Sequence, residues 1–182
     1  LLMLLNTLMV KAQFSIAASA TNYTENFNAL TSGTWTNNSS VTGWYARTDA
    51  TASITTYGAG TGSTTTAGLY AFGVAGTNPL TDRALGFYAS NGFTGSSGTG
   101  KGYIGWRLKN NTGAALSSIT LTWSGEQWRR DNANAQTLVV TYRQAATVTD
   151  LTTGTYSSAG SSFSSPQLSA SALALDGNAT AN

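Results

Sequence analysis

The sequence contains no cysteine and no histidine. Without cysteine the chain has no disulfides, thiol nucleophiles, iron–sulfur clusters or Cys-type zinc sites. Without histidine it lacks Ser-His-Asp and Cys-His catalysis, His-ligated metals and the usual general base near neutral pH. The two absences exclude many enzyme classes and favour a noncatalytic role.

Charged residues are also scarce. They make up 9% of the 182 residues, against a globular norm of about 25%. Solubility therefore depends on small hydroxyl and amide side chains, which suit an exported protein. The formal net charge is only +2, so we expect no nucleic-acid partner, because phosphate-backbone binding needs clustered basic residues.

The chain begins with an apolar stretch, LLMLLNTLMV, followed by a small-residue junction. Val10 and Ala12 occupy the two positions that signal peptidase reads, which predicts a secretory signal remnant over residues 1–12 with cleavage before Gln13. Ten apolar residues cannot cross a hydrocarbon core that needs about 20, so no membrane span is expected. The predicted location is extracellular or at the cell surface.

Residues 13–182 lack helical periodicity and contain short alternating runs separated by Gly, Asn, Ser and Thr, which predicts an all-β chain. The clearest runs are residues 103–109, 118–124 and 137–143. In the second run, Ile119, Leu121 and Trp123 are predicted to point inward. Weaker strand candidates are residues 23–28, 41–47, 52–57, 69–73, 84–89 and 172–175.

The connection at residues 110–115 predicts a hairpin between the first two strong strands, because amides and glycine tolerate positive φ. Residues 58–68, 91–102 and 156–166 are predicted loops. About nine strands without helices predict a two-sheet antiparallel sandwich, a jelly roll in our interpretation, with an immunoglobulin-like sandwich as the alternative. We treat residues 13–182 as one such domain, truncated at its C-terminus.

Residues 123–131 combine two of the five tryptophans with clustered charges. If the strand continues, one face carries Glu126, Trp128 and Arg130, with Arg129 beside them. A Trp next to a carboxylate and a guanidinium can hold a sugar by stacking and hydrogen bonds. The structural alternative is that Trp128 packs under a sheet edge and Glu126 pairs with an arginine.

A second aromatic group, Trp44 and Tyr45, lies in the N-terminal half. It is a further ligand-binding candidate, since exposed aromatics form sugar platforms in jelly-roll modules. Burial as an anchor for the first strands is the alternative.

Carboxylates are few, with seven Asp and Glu in total. No metal or cofactor is predicted. The alternative is structural calcium at Asp82, Asp131 or Asp176, loop acids with the oxygen ligands that calcium takes. A glycosidase needs two facing carboxylates, so a hydrolase or lyase would have to combine Glu126 with a distant Asp.

Three segments carry a resemblance: an Asn-Asn-Thr-Gly turn at residues 110–113, a Gly-Glu-Gln-Trp-Arg run at residues 125–129, and a Leu-Asp-Gly-Asn turn at residues 175–178. Over residues 23–182 the chain resembles an uncharacterised module of bacterial exported multidomain surface proteins. Such proteins often carry PEP-CTERM or type IX secretion sorting tails. The resemblance implies other domains of the same polypeptide as partners and brings no catalytic residue with it.

Three functions remain open from the sequence. The first is a noncatalytic surface module that binds polysaccharide or another surface polymer. The second is a structural or assembly spacer, which burial of Trp128 and Trp44 would favour. The third is the hydrolase or lyase that uses Glu126.

Overall fold

The computed structural model describes residues 13–74, 82–96, 98–131 and 133–180. The predicted signal remnant at residues 1–12 lies outside these ranges. Strands dominate the described residues, and the one helix among them is α1 (Asn91–Thr94). The strands are β1 (Phe14–Ile16), β2 (Gly33–Thr34), β3 (Trp44–Thr48), β4 (Thr56–Gly60), β5 (Gly68–Phe72), β6 (Ala84–Tyr88), β7 (Gly102–Trp106), β8 (Leu108–Asn110), β9 (Arg129–Arg130), β10 (Thr137–Tyr142), β11 (Ser157–Ser164) and β12 (Leu173–Ala174).

The strands form one four-stranded sheet and four two-stranded pairs within the described ranges. The larger sheet has the order β2-β4-β5-β6, and the pairs are β1-β8, β3-β7, β9-β12 and β10-β11. The predicted all-β class is confirmed. Two pairings, β1-β8 and β4-β5, are parallel, which the expected antiparallel sandwich did not include. The jelly-roll connectivity stays a prediction.

The hydrophobic core lies between β3, β5 and the loops that precede β2, β3 and β4. Its buried residues are Leu30, Trp35, Ala46, Ile54, Leu69 and Ala71. In β3, Ala46 and Thr48 are fully buried, whereas Tyr45 and Arg47, which alternate with them, are only half-buried. Since successive side chains in a strand point to opposite faces, β3 has a core face and an outer face.

Half-buried aromatic rings continue the core toward β1. Trp44 stacks on its cross-strand partner Trp106 at 6.2 Å between centroids, and Tyr23 also stacks on Trp106, at 4.6 Å, while its hydroxyl accepts a hydrogen bond from Trp44 Nε1 at 3.2 Å. Phe14 contacts both Tyr23 and Trp106, so the rings attach β1 to β3-β7. Trp44 therefore acts as a packing residue, the alternative role considered for it above.

The predicted hairpin between residues 103–109 and 118–124 is wrong. Strand β7 pairs with β3, β8 pairs with β1, and residues 118–124 form no strand. Ile119 and Leu121, predicted to point inward, are 59% and 57% exposed. Alternation identifies a segment that can form a strand, but it does not identify the strand with which that segment pairs. Strand β7 pairs with β3 because this register places the apolar residues of both strands on the core face.

All three predicted loops contain regular structure, and residues 58–60 of the first belong to β4, where they pair with β5. Residues 156–166 include β11, whose serines pair with β10 in antiparallel register, for example Ser164 with Thr137. Serine has little intrinsic strand preference, so only the pairing with β10 makes this segment a strand. Residues 91–102 begin with α1, which Ser90 caps by accepting a hydrogen bond from the Phe93 N–H.

Candidate functional site

Residues 125–129, here called the GEQWR segment, lie before and within β9. Strand β9 pairs with β12, and the Leu175 N–H donates to the Trp128 carbonyl at 3.0 Å. The segment therefore lies beside the turn at residues 175–178. The Gly-Glu-Gln-Trp-Arg run and the Leu-Asp-Gly-Asn turn, separate in sequence, are in direct contact.

Trp128 is buried, with 5% of its surface exposed. Its indole stacks on Phe72 of β5 at 6.2 Å and 15°. The ring also lies directly against Gly177, where an added Cβ would collide with it. With its faces in contact with the protein, the ring is not available as a sugar platform, and its position matches the structural alternative.

Glu126 is held by the same tryptophan. The Trp128 Nε1–H donates to Glu126 Oε2 at 3.0 Å. Burial raises the pKa of Glu126, the bond from Trp128 opposes this change, and the carboxylates of Asp82 and Asp176 raise the pKa further. The predicted pairing of Glu126 with an arginine does not occur among the described residues, since Arg129 pairs with another carboxylate.

The other residues of the segment also have internal partners. The Gln127 side-chain amide donates to the Gln167 carbonyl at 2.8 Å and accepts from the Gln167 N–H at 2.8 Å. At Gly125 an added Cβ would lie against the Phe163 ring of β11. The GEQWR segment thus connects Trp128 to β11 and to Gln167, which follows β11 in the chain.

Arg129 completes this connection toward β6. Its Nε–H donates to Asp131 Oδ2 at 3.1 Å, and its NH1 group donates to the Gly62 carbonyl at 3.3 Å. Tyr88 donates its hydroxyl to Asp131 at 2.7 Å, and this bond raises the pKa of Tyr88. Arg130 pairs with Leu173 in β12, and its Nε is buried without a hydrogen-bond partner in the described part of the chain.

A pocket of about 100 Å³ opens beside Trp128, and its mainly apolar lining includes Val74, Leu175 and Asp176. Ligand sites for molecules of drug size measure about 300–1,000 Å³. This pocket is too small to enclose a sugar ring.

The calcium candidates have different partners, although Asp82 and Asp176 both lie near Glu126. Asp131 is engaged by Arg129 and Tyr88, and Asp176 accepts a hydrogen bond from the Asn178 N–H. Asp82 is exposed at the start of the chain leading into β6. Among the described residues no group of three His, Cys, Asp or Glu side chains is placed to hold a metal ion, and no helix there is long and apolar enough to cross a membrane.

Trp44 and Tyr45, treated together in the sequence, point to opposite faces of β3. Trp44 belongs to the core-face aromatic group, whereas Tyr45 contacts Arg107 on the outer face. The Arg107 NH1 group donates to the Tyr45 hydroxyl at 2.9 Å, and the guanidinium lies 4.9 Å from the centre of the tyrosine ring. This is a cation–π arrangement as well as a hydrogen bond.

A second Tyr–Arg pair lies on the same face. Arg47 is the cross-strand partner of Tyr103 in the β3-β7 register. The Tyr103 hydroxyl donates to Asp49 Oδ1 at 2.9 Å, and burial, followed by this bond, raises the pKa of Tyr103. We call Tyr45, Arg47, Tyr103 and Arg107 the outer face. All four are half-buried.

The loop between β10 and β11 crosses the outer face. Leu151 lies over Gly105, where an added Cβ would collide with it, and Thr152 Oγ1 accepts a hydrogen bond from Arg47 at 2.9 Å. Asp150 accepts bonds from the Thr152 and Thr153 N–H groups and the Thr153 hydroxyl, and the Thr153 bonds lead in lowering its pKa to about 2. The loop is thus ordered by its own hydrogen bonds.

Sequence reasoning identified Tyr45 but missed the other three outer-face residues. A signal existed: residues 103, 105 and 107 alternate with the apolar residues 104, 106 and 108. This alternation alone could not link Arg107 to Tyr45, because the β3-β7 pairing was not predicted.

Comparisons of the chain with protein-family models, with curated proteins and with solved structures found no match. The resemblance to modules of exported bacterial proteins therefore stays a prediction, and the function is argued from geometry.

Proposed function

We propose that this chain is a noncatalytic module of a secreted or cell-surface bacterial protein, and that it binds a surface polysaccharide through the outer face. The observation that carries the proposal is the Tyr45–Arg107 pair. An aromatic ring and a guanidinium in contact, both partly accessible on a sheet, can pack against the C–H face of a sugar and donate to its oxygens.

The outer face differs from the GEQWR segment in what its side chains contact. Trp128 and Glu126 are occupied by each other and by Phe72 and Gly177. On the outer face, Arg47 and Arg107 form hydrogen bonds to uncharged groups and no salt bridge with the described residues. Asp150 lies near Arg47 and offsets part of its charge, so Arg107 is the arginine whose charge is more available to a ligand.

A structural or assembly spacer is the second candidate function. It is favoured by the internal contacts of the whole GEQWR segment, which connect β5, β6, β11 and the final turn. On this view the segment resembles other modules because it holds the domain together, and adjoining domains of the same polypeptide supply the activity.

The test is retention of the purified chain by a panel of neutral and acidic polysaccharides in affinity electrophoresis. Tyr45→Ala should weaken retention about tenfold if the ring contributes a stacking contact of ordinary strength. Tyr142→Ala, which removes a 57% exposed tyrosine from β10, is the matched control and should leave retention unchanged. If no polysaccharide retains the chain, the spacer is the better description.

A further inference from the structure

We propose that the ligand of the outer face is an acidic polysaccharide whose carboxylates bind Arg47 and Arg107. This inference rests on the proposed function and specifies the ligand class of the same site. Its basis is the bonding of the two arginines: both donate to uncharged groups and neither forms a salt bridge with the described residues, although Asp150 lies near Arg47.

Each arginine keeps donor capacity for a carboxylate. Arg107 uses NH1 on Tyr45 and NH2 on Gln13, the latter at a long 3.4 Å, and both acceptors are uncharged. Arg47 donates through NH1 to the hydroxyl of Thr152 and through Nε to the Thr48 carbonyl at 3.4 Å. Arg107 Nε is buried without a partner among the described residues, so the accessible donors are the terminal nitrogens. A guanidinium has five N–H donors, and a carboxylate binds it more strongly than neutral oxygens do. A ligand carboxylate would therefore displace or supplement these neutral partners.

The spacing of the arginines suits a chain-like ligand. Arg47 lies opposite Tyr103, whereas the Arg107 N–H donates to the carbonyl of Gly43. Position 43 directly precedes β3 and position 47 lies within it, so the two arginines lie toward opposite ends of this strand. Leu151 covers Gly105, the cross-strand partner of Tyr45, so a polymer with repeated carboxylates would contact the two arginines on either side of this loop.

The face fits a polysaccharide better than a nucleic acid. Duplex DNA carries one negative charge per about 1.7 Å and needs a dense basic patch. Here Asp49 is bonded to Tyr103, and Asp150 lies near Arg47, so one end of the face also carries negative charge. Two isolated guanidiniums beside tyrosine rings match sparse carboxylates on sugar rings.

The experiment measures retention of the full chain by polygalacturonate, by the neutral polymer dextran and by single-stranded DNA. Arg107→Gln and Arg47→Gln should each weaken polygalacturonate binding about tenfold, which is the usual effect of losing one charged hydrogen bond. Lys109→Gln is the matched control, since it removes one positive charge from an exposed position on the neighbouring strand β8. Arg107→Lys keeps the charge without the planar fork and should give intermediate binding.

The outcomes separate the two proposals. Retention by dextran but not by polygalacturonate overturns the acidic ligand and leaves the proposed function standing. No retention by any polysaccharide overturns both. Equal loss in Lys109→Gln, or equally strong binding of DNA, shows general charge attraction and overturns the acidic-polysaccharide site. Circular dichroism and thermal melting of each variant distinguish lost binding from lost folding.

Discussion

At the scale of single residues, Glu126 shows how one carboxylate can seem catalytic in a sequence and be structural in the fold. Its raised pKa, with Asp82 and Asp176 nearby, is the electrostatic pattern of a general acid. Its oxygen, however, accepts a hydrogen bond from the buried Trp128 indole. The raised pKa of Glu126 follows from its burial at a packing contact. It therefore does not by itself support a catalytic role for Glu126.

The pKa of Glu126 gives a prediction about stability and pH. A carboxyl whose pKa is raised on folding contributes stability that is fully present below its unfolded pKa, near 4.3, and is lost as the pH rises through the folded value. Glu126→Gln keeps an oxygen that can accept from Trp128 and removes the charge. Urea titrations at pH 4 and pH 7 should show that the variant loses less stability across this interval than the natural chain.

A steeper loss in the Glu126→Gln variant would contradict this account of the carboxylate. Activity assays with the same variant address the enzyme alternative directly. Any glycoside-cleaving activity of the natural chain that disappears in Glu126→Gln, while the fold is retained, would support the hydrolase and count against a purely structural role.

At the scale of elements, the β3-β7 pair determines the candidate site, because its two faces have different environments. The core face carries Trp44 and Ala46, and the outer face carries Tyr45 and Arg47. A slip of the register by one residue would exchange the faces. Gly43, just before β3, holds this register: its carbonyl accepts the Arg107 N–H at 2.8 Å, and its own N–H donates to the Asn38 side chain at 3.0 Å.

Gly43→Ala tests this role. Gly43 has φ of +84°, and an added Cβ would lie 3.0 Å from the Phe14 nitrogen and from the Trp106 ring. The left-handed backbone alone costs an alanine about 1–2 kcal/mol, and the collision adds to it. Gly113→Ala is the control, since its φ is +80° and nothing lies within 4 Å. Denaturant unfolding should show the larger loss for Gly43→Ala. Equal losses would mean that the close approach to Trp106 has no energetic consequence.

At the scale of the whole molecule, the GEQWR segment connects the N-terminal sheet to the C-terminal strands. Trp128 contacts Phe72 on one side and Gly177 on the other. The C-terminal part has a thinner apolar interior, as Leu138 and Val139 on opposite faces of β10 are 56% and 60% exposed. We therefore expect its stability to depend strongly on this one contact.

Trp128→Ala should lower the free energy of unfolding by about 3–5 kcal/mol, the usual result of truncating a buried tryptophan. Trp128→Phe keeps much of the ring, so the loss should be smaller. If the outer face is the binding site, Trp128→Phe should leave polysaccharide retention unchanged while it lowers the melting temperature. Retention lost in proportion to ring size, with stability unchanged, would instead place the ligand at Trp128.

Several elements could be predicted from local pattern. Residues 137–143 alternate strongly and form β10, and residues 69–73 and 84–89 closely match β5 and β6. The exclusions also follow directly from composition, because missing cysteine and histidine remove chemistry whatever the fold. Residues 156–166 could not be predicted in this way: the serines of β11 become a strand only through hydrogen bonds to β10.

The candidate site, like the strands, could be predicted only in part from local sequence. The sequence by itself determined the all-β class, the restricted chemistry and the aromatic residues worth considering, because residue identity and period-2 alternation are local properties. The tertiary structure alone decided that Trp128 is buried against Gly177 and that Tyr45 meets Arg107, 62 positions away in the chain. Such contacts depend on which strands pair. Pairing is determined by the burial of whole strand faces, and a short stretch of sequence does not carry that information.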